Sequence, residues 1–400
     1  MREETLLTPE WVANKQTFLD WDTQPSSFKQ YPHFCYRIPL RNIPSLQWLA
    51  QTRCMTDEHL VAQKPYIRLN VPSAGNLHPI EIYLQIRNVA GMLSGIYHFD
   101  VLNEELVLIK EIAGEGIEPH LGIKTRFSGV IVMISLVPFR SGWKYGLRSW
   151  RYLYLDLGHQ IGALTSSVRH FGLTFTKMAP QKEVSRMMGM GDDEVIAAVY
   201  GVGETSSRPV KSLSEPLMRV QPTDYTLIAE KLYSAVQGAE FYTHIPQTQS
   251  QERFLELNRS RRSTREFNWD AMDDAIIIEI MQCTAPKSLE IVPIVLQAHT
   301  MHTGVYRNIH CEIRGNFVSE IVHLLLNQRF IAGANMVLLI FADDFSASAH
   351  VEAGIYAQDI YMLCENYNVG CSGVGAFYDN EASRWSNRSL LYAVAVGGKI

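Results

Sequence analysis

The sequence has few cysteines, no long apolar run and no excess of basic residues, and each absence excludes a class of protein. Its 400 residues include six cysteines, which are scattered without a Cys-x-x-Cys pair, as is typical of reduced thiols rather than a disulfide framework. No stretch approaches the roughly 20 apolar residues of a membrane helix. The net charge of −5 argues against nucleic acid as a partner. We therefore expect a soluble protein.

The first residues and several absent motifs narrow the class further. MREETLLTPEW opens with acids and a tryptophan, where a secretory signal would have basic and then apolar residues, so we expect a cytoplasmic protein. No Walker phosphate loop, Gly-x-Ser-x-Gly elbow or His-Glu-x-x-His motif occurs, and the Gly-x-Gly pieces at 201–203 and 373–375 are too short for a dinucleotide fingerprint. We predict neither a metal site nor a Rossmann domain.

The sequence does contain a faint internal repeat. PSAGNLHPIE at 72–81 and PKSLEIVPIV at 286–295 both carry two prolines seven residues apart, followed by isoleucine. Three further matching pairs follow in the same order: GIYHFD at 95–100 with GVYRNI at 304–309, helix-like segments at 150–171 and 350–367, and small-residue strands at 197–204 and 392–399. This shared order indicates duplication of a unit of about 150–200 residues.

The repeat predicts an α+β fold of two similar domains, 1–205 and 251–400. A connector at 206–250 is rich in Ser, Pro and Thr around one helix at 225–236. The expected strands lie near 80–87, 129–137, 195–202, 291–298, 336–342 and 391–397, in mixed sheets flanked by helices. Both long helices are apolar on nearly all sides, as buried helices are. We expect the halves to pack as an intramolecular pseudo-dimer.

An arginine cluster lies at 259–265, with the sequence Arg-Ser-Arg-Arg-Ser-Thr-Arg. It follows a helix-like run at 252–258 and leads into an extended Glu-Phe-Asn. Guanidinium groups and a hydroxyl at a helix end suit a phosphate monoester. A solvated surface explains the same composition equally well, so the residues alone leave both interpretations open.

Within this cluster, RRSTREF at 261–267 resembles the N-terminal signature of the FMN-dependent nitroreductase superfamily. The resemblance implies that Arg261 and Ser263 hold the FMN phosphate and ribityl chain, with Arg262 in the same cofactor-binding segment. It also implies that Arg265 reaches the N1–C2 carbonyl edge of the flavin. A cation at that edge would stabilise the anionic reduced ring.

Two further segments resemble the same superfamily. Its Pro-Ser-x-x-Asn turn is similar to PSAGN here, which implies a flavin-binding role for Pro72, Ser73, Ala74, Gly75 and Asn76. Small residues there would let backbone amides approach the pyrimidine face of the flavin, and the Asn76 amide would pair with it. CSGVGAF at 371–377 resembles the Gly-rich stretch beneath the ring, which implies the same for Gly373, Val374 and Gly375.

The two halves hold complementary parts of this site. The first half keeps PSAGN but has no arginine signature in 31–51, whereas the second half keeps RRSTREF. In the second half, Lys287, Leu289 and Glu290 replace the serine, glycine and asparagine of the turn. Homodimers of the superfamily draw the two motifs from different subunits. A fused pseudo-dimer with one copy of each would therefore bind one FMN.

The segment GWKYGLRSWRY at 142–152, followed by LDLGH at 155–159, resembles the SagB-type azoline dehydrogenases. That likeness implies oxidation of an azoline or a related modified amino-acid or peptide substrate, free or carrier-bound, with FMN as cofactor and O2 as re-oxidant. It places the catalytic base at Lys144 or Tyr145. Either an ammonium neighbour lowers the tyrosine pKa, or burial lowers the lysine pKa.

Several alternatives stay open at this point. The rival functions are an NAD(P)H-dependent nitro or quinone reductase and a non-enzymatic flavin-binding scaffold. Further oligomerisation of the pseudo-dimer is also open. The first 70 residues contain no pattern typical of a precursor-peptide binder. Arg148, Arg151 and Tyr152 are expected to hold the 142–152 segment or to meet substrate, with the structural role favoured. Asp156 and His159 are expected to contact each other across one helical turn.

Overall fold

The computed structural model describes residues 3–14, 19–61, 63–179, 182–220 and 250–400. The helix expected at 225–236 lies outside these residues. The described helices are α1 Pro9–Asn14, α2 Gln47–Thr52, α3 Pro138–Tyr145, α4 Ser149–His170, α5 Lys182–Met187, α6 Gln251–Ser260, α7 Asp274–Met281, α8 Val318–Leu324 and α9 Ala347–Asn366. Several 3₁₀ turns connect them.

The described strands divide between the two halves. Those of the first half are β1 Arg37–Pro39, β2 Met55–Val61, β3 Lys64–Leu69, β4 Ile80–Arg87, β5 Gly95–Asp100, β6 Glu105–Glu111, β7 Glu115–Gly116, β8 Thr125–Leu136, β9 Thr176–Met178, β10 Val195–Pro209 and β11 Lys211–Ser212. Those of the second half are β12 Leu289–Val295, β13 Gly304–Arg307, β14 His310–Arg314, β15 Met336–Ala342, β16 Val369–Val374 and β17 Ser389–Gly398. The predicted α+β class is confirmed.

The two large sheets share one strand order. The first is β1-β6-β5-β4-β8-β10-β9 and the second is β14-β13-β12-β15-β17-β16, so six strands correspond one to one once β1 is set aside. Every described pairing in both sheets is antiparallel, and the parallel pairing is that of the short strands β7 and β11. In chain order, the long helix α4 connects β8 to β9 in the first half, and α9 connects β15 to β16 in the second.

Strand β4 shows why these sheets lie inside the molecule. All eight of its residues are buried, because helices cover one face and loops cover the other. Ile82 and Leu84 join the core beneath α4, while Tyr83 joins a second core on the opposite face. Successive side chains of a strand point to opposite faces, so a fully buried strand is apolar at almost every position.

Helices α4 and α9 cross at two glycines. A Cβ atom added to Gly158 would lie 2.2 Å from Val351 O, and one added to Gly354 would lie 2.3 Å from Leu155 O. Because the backbones approach so closely, Val351 and Ile355 of α9 enter the core of the first half. In the same way Tyr152 and Leu155 of α4 enter the core of the second half.

None of the described helices combines the length and apolarity needed to span a bilayer.

The halves differ in what is inserted around this shared frame. Twelve positions separate β8 from α4, and they hold α3, whereas only residues 343–346 separate β15 from α9. Residues 206–220, expected to belong to the connector, pack against the first half instead. There β10 continues to Pro209, Leu213 and Leu217 enter the core, and Arg219 pairs with Asp193 at 2.8 Å.

The glycine crossing predicts a stability effect. Gly158→Ala forces the added methyl group against the backbone of α9, which cannot move aside, so we expect the free energy of unfolding to fall by about 1–3 kcal/mol. Urea denaturation followed by circular dichroism measures it. Gly114→Ala is the matched control, because its Cβ would meet only Arg126 Nη2 at 3.5 Å. Equal stability of the two variants would contradict the close approach.

Candidate functional site

A cleft between the halves encloses about 670 Å³ including its open mouth. The first half lines it with Pro72, Ser73, Ala74, Gly75, Tyr145, Tyr152, Leu155, Asp156 and His159. The second half lines it with Ser263, Arg265, Gln328, Tyr361, Gly373, Val374, Gly375, Ala376 and Tyr392. The structure therefore brings residues of all four sequence motifs to one place, although the motifs are distant along the chain.

The PSAGN turn connects β3 to β4 and forms one wall. Gly75 has φ of 64°, a left-handed conformation that glycine adopts without strain. Ser73 Oγ donates to Asp156 Oδ2 at 2.6 Å, and Ala74 N donates to Asp156 Oδ1 at 3.1 Å. Asn76 lies outside the lining, because its Nδ2 donates to Ile67 O at 2.8 Å. The turn is thus held by a carboxyl group on α4.

Asp156 and His159 both face the cleft but do not contact each other in the described structure. Burial raises the pKa of the Asp156 carboxyl to about 7, against the opposing effect of its bonds to Ser73 and Ala74. His159 instead contacts Gln358 Oε1 at 3.1 Å and Tyr392 Oη at 3.3 Å, and burial lowers its pKa to about 3. The expected contact across one helical turn is wrong, because each side chain has a better partner from another element.

Lys144 and Tyr145 occupy the C-terminal end of α3. The Tyr145 ring packs edge-on against Tyr152, with centroids 4.7 Å apart. A Cβ atom added to Gly75 would lie 2.4 Å from Tyr145 Oη and 3.3 Å from Lys144 Nζ, so both polar ends reach the turn. Lys144 Nζ also lies 5.3 Å from the centre of the Trp21 ring.

Burial acts on the two candidate bases in opposite directions. It raises the pKa of the Tyr145 hydroxyl well above its usual range, with smaller contributions from Tyr152 and Asp156 in the same direction. It lowers the pKa of the Lys144 ammonium. Both groups are thereby driven toward their neutral forms. A neutral amine accepts a proton, whereas a neutral phenol does not do so readily, so this geometry favours Lys144 as the base.

Ser263 and Arg265 of the arginine signature line the cleft, whereas Arg261 and Arg262 do not. Ser263 lies in the cleft, with its hydroxyl 2.9 Å from Tyr361 Oη, and the exposed Arg265 lines the mouth. Arg262 donates to Thr56 O at 2.6 Å outside the lining. Arg261 is buried, and it donates to Leu69 O at 2.8 Å and to Asn70 O.

Arg261 therefore joins the two halves. Its guanidinium group binds the carbonyl groups that lead directly into the PSAGN turn, and it lies 5.1 Å from the centre of the Tyr361 ring. Within the described residues its Nη1 has no hydrogen-bond partner. The Nε and Nη2 groups are engaged by the backbone, so Nη1 is the nitrogen whose donors are both free.

The glycine-rich wall is positioned by Tyr361, which no motif identified, and by Arg148 of the 142–152 segment. Tyr361 Oη accepts a hydrogen bond from Gly373 N at 2.7 Å, and Arg148 Nη2 donates to Gly375 O at 3.0 Å. Arg148 and Arg151 also bind Asp379, at 2.9 and 2.6 Å, in agreement with their expected structural roles. No sequence pattern marked Tyr361, Tyr392 or Gln328. Asp156 was detectable as an acid on an otherwise apolar helix.

The lining has two chemical characters. Tyrosine rings, Leu155, Val374 and backbone form flat and largely apolar walls, while Ser263 and Arg265 offer polar donors toward an anion. In the described ranges, no three His, Cys, Asp or Glu side chains are grouped to hold a metal ion. The arrangement suits a flat ligand with an anionic end.

Comparison with known proteins places the fold. No protein-family model matches the chain. A crystal structure of a candidate nitroreductase from Anabaena variabilis superimposes with a TM-score of 0.80, covering 100% of this chain and 98% of that one at 19% identity. The chain therefore has a nitroreductase-like fold over its whole length.

Two curated proteins are similar over shorter stretches. A candidate nitroreductase of Methanocaldococcus jannaschii is 32% identical over 93 residues, which are 22% of this chain and 46% of that protein. The trifolitoxin-processing protein TfxB of Rhizobium leguminosarum bv. trifolii is 30% identical over 132 residues, which are 30% of this chain and 34% of that protein. The chain thus matches less than half the length of either one.

The position of Arg261 predicts a structural effect in the flavin-free protein. Arg261→Met leaves Leu69 O and Asn70 O without their donors, so we expect the free energy of unfolding to fall by about 2–3 kcal/mol. Chemical denaturation of protein stripped of bound small molecules measures it. Arg265→Met, at the exposed mouth, is the control and should leave stability unchanged. A purely phosphate-binding Arg261 would instead give a variant as stable as the wild type.

Proposed function

We propose that this protein is an FMN-dependent oxidoreductase that binds one FMN in the cleft between its halves. The observation that carries the proposal is the convergence of the PSAGN turn, the arginine signature and the glycine-rich strand on a single cleft. These segments come from opposite halves, and each corresponds to a different part of the flavin site that the family resemblance implies.

The residues present fit FMN. The free Nη1 of Arg261, the Ser263 hydroxyl and Arg265 supply donors for a phosphate group and for ring oxygens. Ala74 and Gly373–Gly375 present backbone and small side chains to the cleft, and the rings of Tyr145, Tyr152, Tyr361 and Tyr392 would flank a planar ligand. Asp156 is the acid in the lining, and its raised pKa reduces the repulsion that a full carboxylate would exert on an anion.

A duplicated, two-domain origin is supported by the shared strand order and by the crossing of α4 and α9. The counterpart of the PSAGN turn carries Lys287 and Glu290, and Glu290 is engaged by Arg307 and by Ser386 Oγ, the latter at 2.7 Å. Lys287 and Leu289 stand where the first half has Ser73 and Gly75, both of which line the cleft. We infer that one cofactor site was retained and the other lost.

The finer proposal is a SagB-type dehydrogenase or oxidase acting on an azoline or a related modified amino-acid or peptide substrate, in natural-product biosynthesis. Helix α3, which has no counterpart between β15 and α9, brings Tyr145 into the cleft lining and Lys144 beside the PSAGN turn. The partial similarity to a trifolitoxin-processing protein supports a peptide substrate. Bound FMN would supply hydride acceptance from the substrate carbon, with O2 as the final oxidant. Lys144 would take up the accompanying proton, while Tyr145 orders the wall beside it.

A second candidate is an NAD(P)H-dependent nitro or quinone reductase. It is favoured by the names of the similar proteins from Anabaena variabilis and Methanocaldococcus jannaschii. Rapid bleaching of bound flavin by NAD(P)H alone would support it over the dehydrogenase. A flavin-binding scaffold without turnover is the remaining alternative.

The single cleft predicts a single cofactor. Protein purified with excess FMN should be yellow, with flavin absorbance corresponding to about one FMN per chain after desalting. Absorption spectroscopy against a protein determination measures the ratio. A ratio near two would contradict the loss of the second site, and a colourless protein that does not bind added FMN would refute the proposed function.

The Lys-Tyr pair predicts a separation of binding from turnover. Lys144→Ala should keep FMN binding and lower kcat by about 10²–10⁴-fold, as expected for loss of a general base. Tyr145→Phe should have a smaller effect, because its hydroxyl stays protonated. Substrate-dependent bleaching of the flavin in stopped flow measures both. Lys124→Ala, away from the cleft, is the control, and unchanged turnover in both pair variants would contradict the assignment.

A further inference from the structure

Ser73 is placed between two fixed partners and the open cleft. Its Oγ lies 2.6 Å from Asp156 Oδ2 and accepts a hydrogen bond from His78 N at 3.0 Å. The residue also lines the cleft. A hydroxyl group has one proton to donate and two lone pairs with which to accept. The direction of the bond to Asp156 therefore decides what the hydroxyl can offer to a ligand.

The two charge states of Asp156 require opposite directions for that bond. A carboxylate only accepts, so Ser73 must give it its one proton and presents no donor to the cleft. A protonated carboxyl group can donate to Ser73 Oγ, which then accepts from both Asp156 and His78 N. In that state the Ser73 proton is free to point at a ligand oxygen. Ala74 N donates to Asp156 Oδ1 in either state, so the turn itself stays in place.

We propose that Asp156 is a positioning residue of the cofactor site, whose carboxyl group sets the direction of the Ser73 hydrogen bond and so controls whether Ser73 donates into the cleft. The proposal rests on the proposed function, because the ligand that would receive the Ser73 proton is a carbonyl oxygen of the flavin ring. Uptake of one proton by Asp156 accompanies binding, and no other bond forms or breaks.

The surroundings of Asp156 leave it as the group that titrates near neutrality. The charged or titratable groups that act on Asp156 electrostatically or share the cleft lining with it are Arg53, Tyr145, Tyr152, His159, Arg265, Tyr361 and Tyr392, and the backbone of His78 binds the Ser73 hydroxyl. Burial lowers the pKa of His78 and of His159 to about 3, and it raises the pKa of Tyr145 and of Tyr392. Burial lowers the pKa of Arg53 to about 10, so it remains a cation at neutral pH. The pKa of Asp156 itself is raised to about 7.

The second half contains a matched pair that serves as an internal control. Ser288 Oγ donates to Glu352, which precedes Gly354 by two residues on α9, as Asp156 precedes Gly158 on α4. Neither Ser288 nor Glu352 lines the cleft. Changes to this pair test whether a Ser–carboxyl bond elsewhere near the helix crossing affects binding.

The experiment measures flavin affinity by fluorescence quenching between about pH 5.5 and pH 8.5. Riboflavin is used beside FMN, because the phosphate group of FMN itself titrates near pH 6. For the wild type we expect riboflavin affinity to fall roughly three- to tenfold as the pH rises through about 7, the effect of losing one hydrogen bond. Glu352→Gln should show the same profile.

Two variants at the site make the proposal falsifiable. Asp156→Asn should hold the low-pH affinity at every pH, because its carboxamide can donate to Ser73 Oγ and accept from Ala74 N. Ser73→Ala should bind more weakly with no pH dependence for riboflavin. Infrared difference spectra of the wild type against Asp156→Asn record protonation of the carboxyl group without any ligand.

The outcomes separate this inference from the proposed function. Infrared titration of Asp156 together with a flat riboflavin profile would overturn the inference and leave FMN binding standing. So would an Asp156→Asn variant that keeps the wild-type pH dependence. A protein that binds neither FMN nor riboflavin at any pH would overturn the proposed function and the inference with it.

Discussion

The contact on which the rest of the molecule depends is the crossing of α4 and α9 at Gly158 and Gly354. Because neither position carries a side chain, the two backbones touch, and each helix extends its side chains into the core of the opposite half. Tyr152 and Leu155 thereby become part of the second half's core and also part of the cleft wall. The cleft is a consequence of this crossing, since its lining is assembled from both sides of it.

Polar contacts fix the PSAGN turn, which forms one wall of the cleft at the boundary between the two halves. Asp156 of α4 binds the PSAGN turn, and Arg261 binds the backbone carbonyls just before it. The turn is therefore fixed from within its own half and from the other half. This arrangement gives Arg261 a structural role besides the ligand contact that its motif implies, because its Nε and Nη2 groups donate to backbone carbonyls.

Burial shifts several titratable side chains of the cleft region toward their uncharged forms. Burial favours uncharged Lys144, Tyr145 and His159, and it brings the Asp156 pKa close to 7, while Arg265 remains a cation at the mouth. Such a site accepts an anionic group at one end and an uncharged planar ring along its walls. An amine whose pKa is lowered by burial, as that of Lys144 is, is more often in the neutral form that can accept a proton than a fully solvated amine is.

The amino-acid pattern by itself determined much of this protein. Strand-length apolar runs predicted β4 and β15 with their observed bounds, and the two long buried helices were placed within a few residues. The motifs also contained cleft residues: four of the five PSAGN residues line it, as do Ser263 and Arg265 of the arginine signature. These features are local, because they depend on periodicity and on neighbouring residues.

Only the tertiary structure decided the rest. It turned Arg261 and Asn76 toward backbone carbonyls, attached 206–220 to the first half, separated His159 from Asp156, and brought Tyr361, Tyr392 and Gln328 into the cleft. Arg261, His159 and the cleft lining depend on the other half of the chain, whereas Asn76 and 206–220 find their partners within the first half. A side chain chooses among partners by distance and burial in the folded molecule, and neither quantity can be read from its neighbours in sequence.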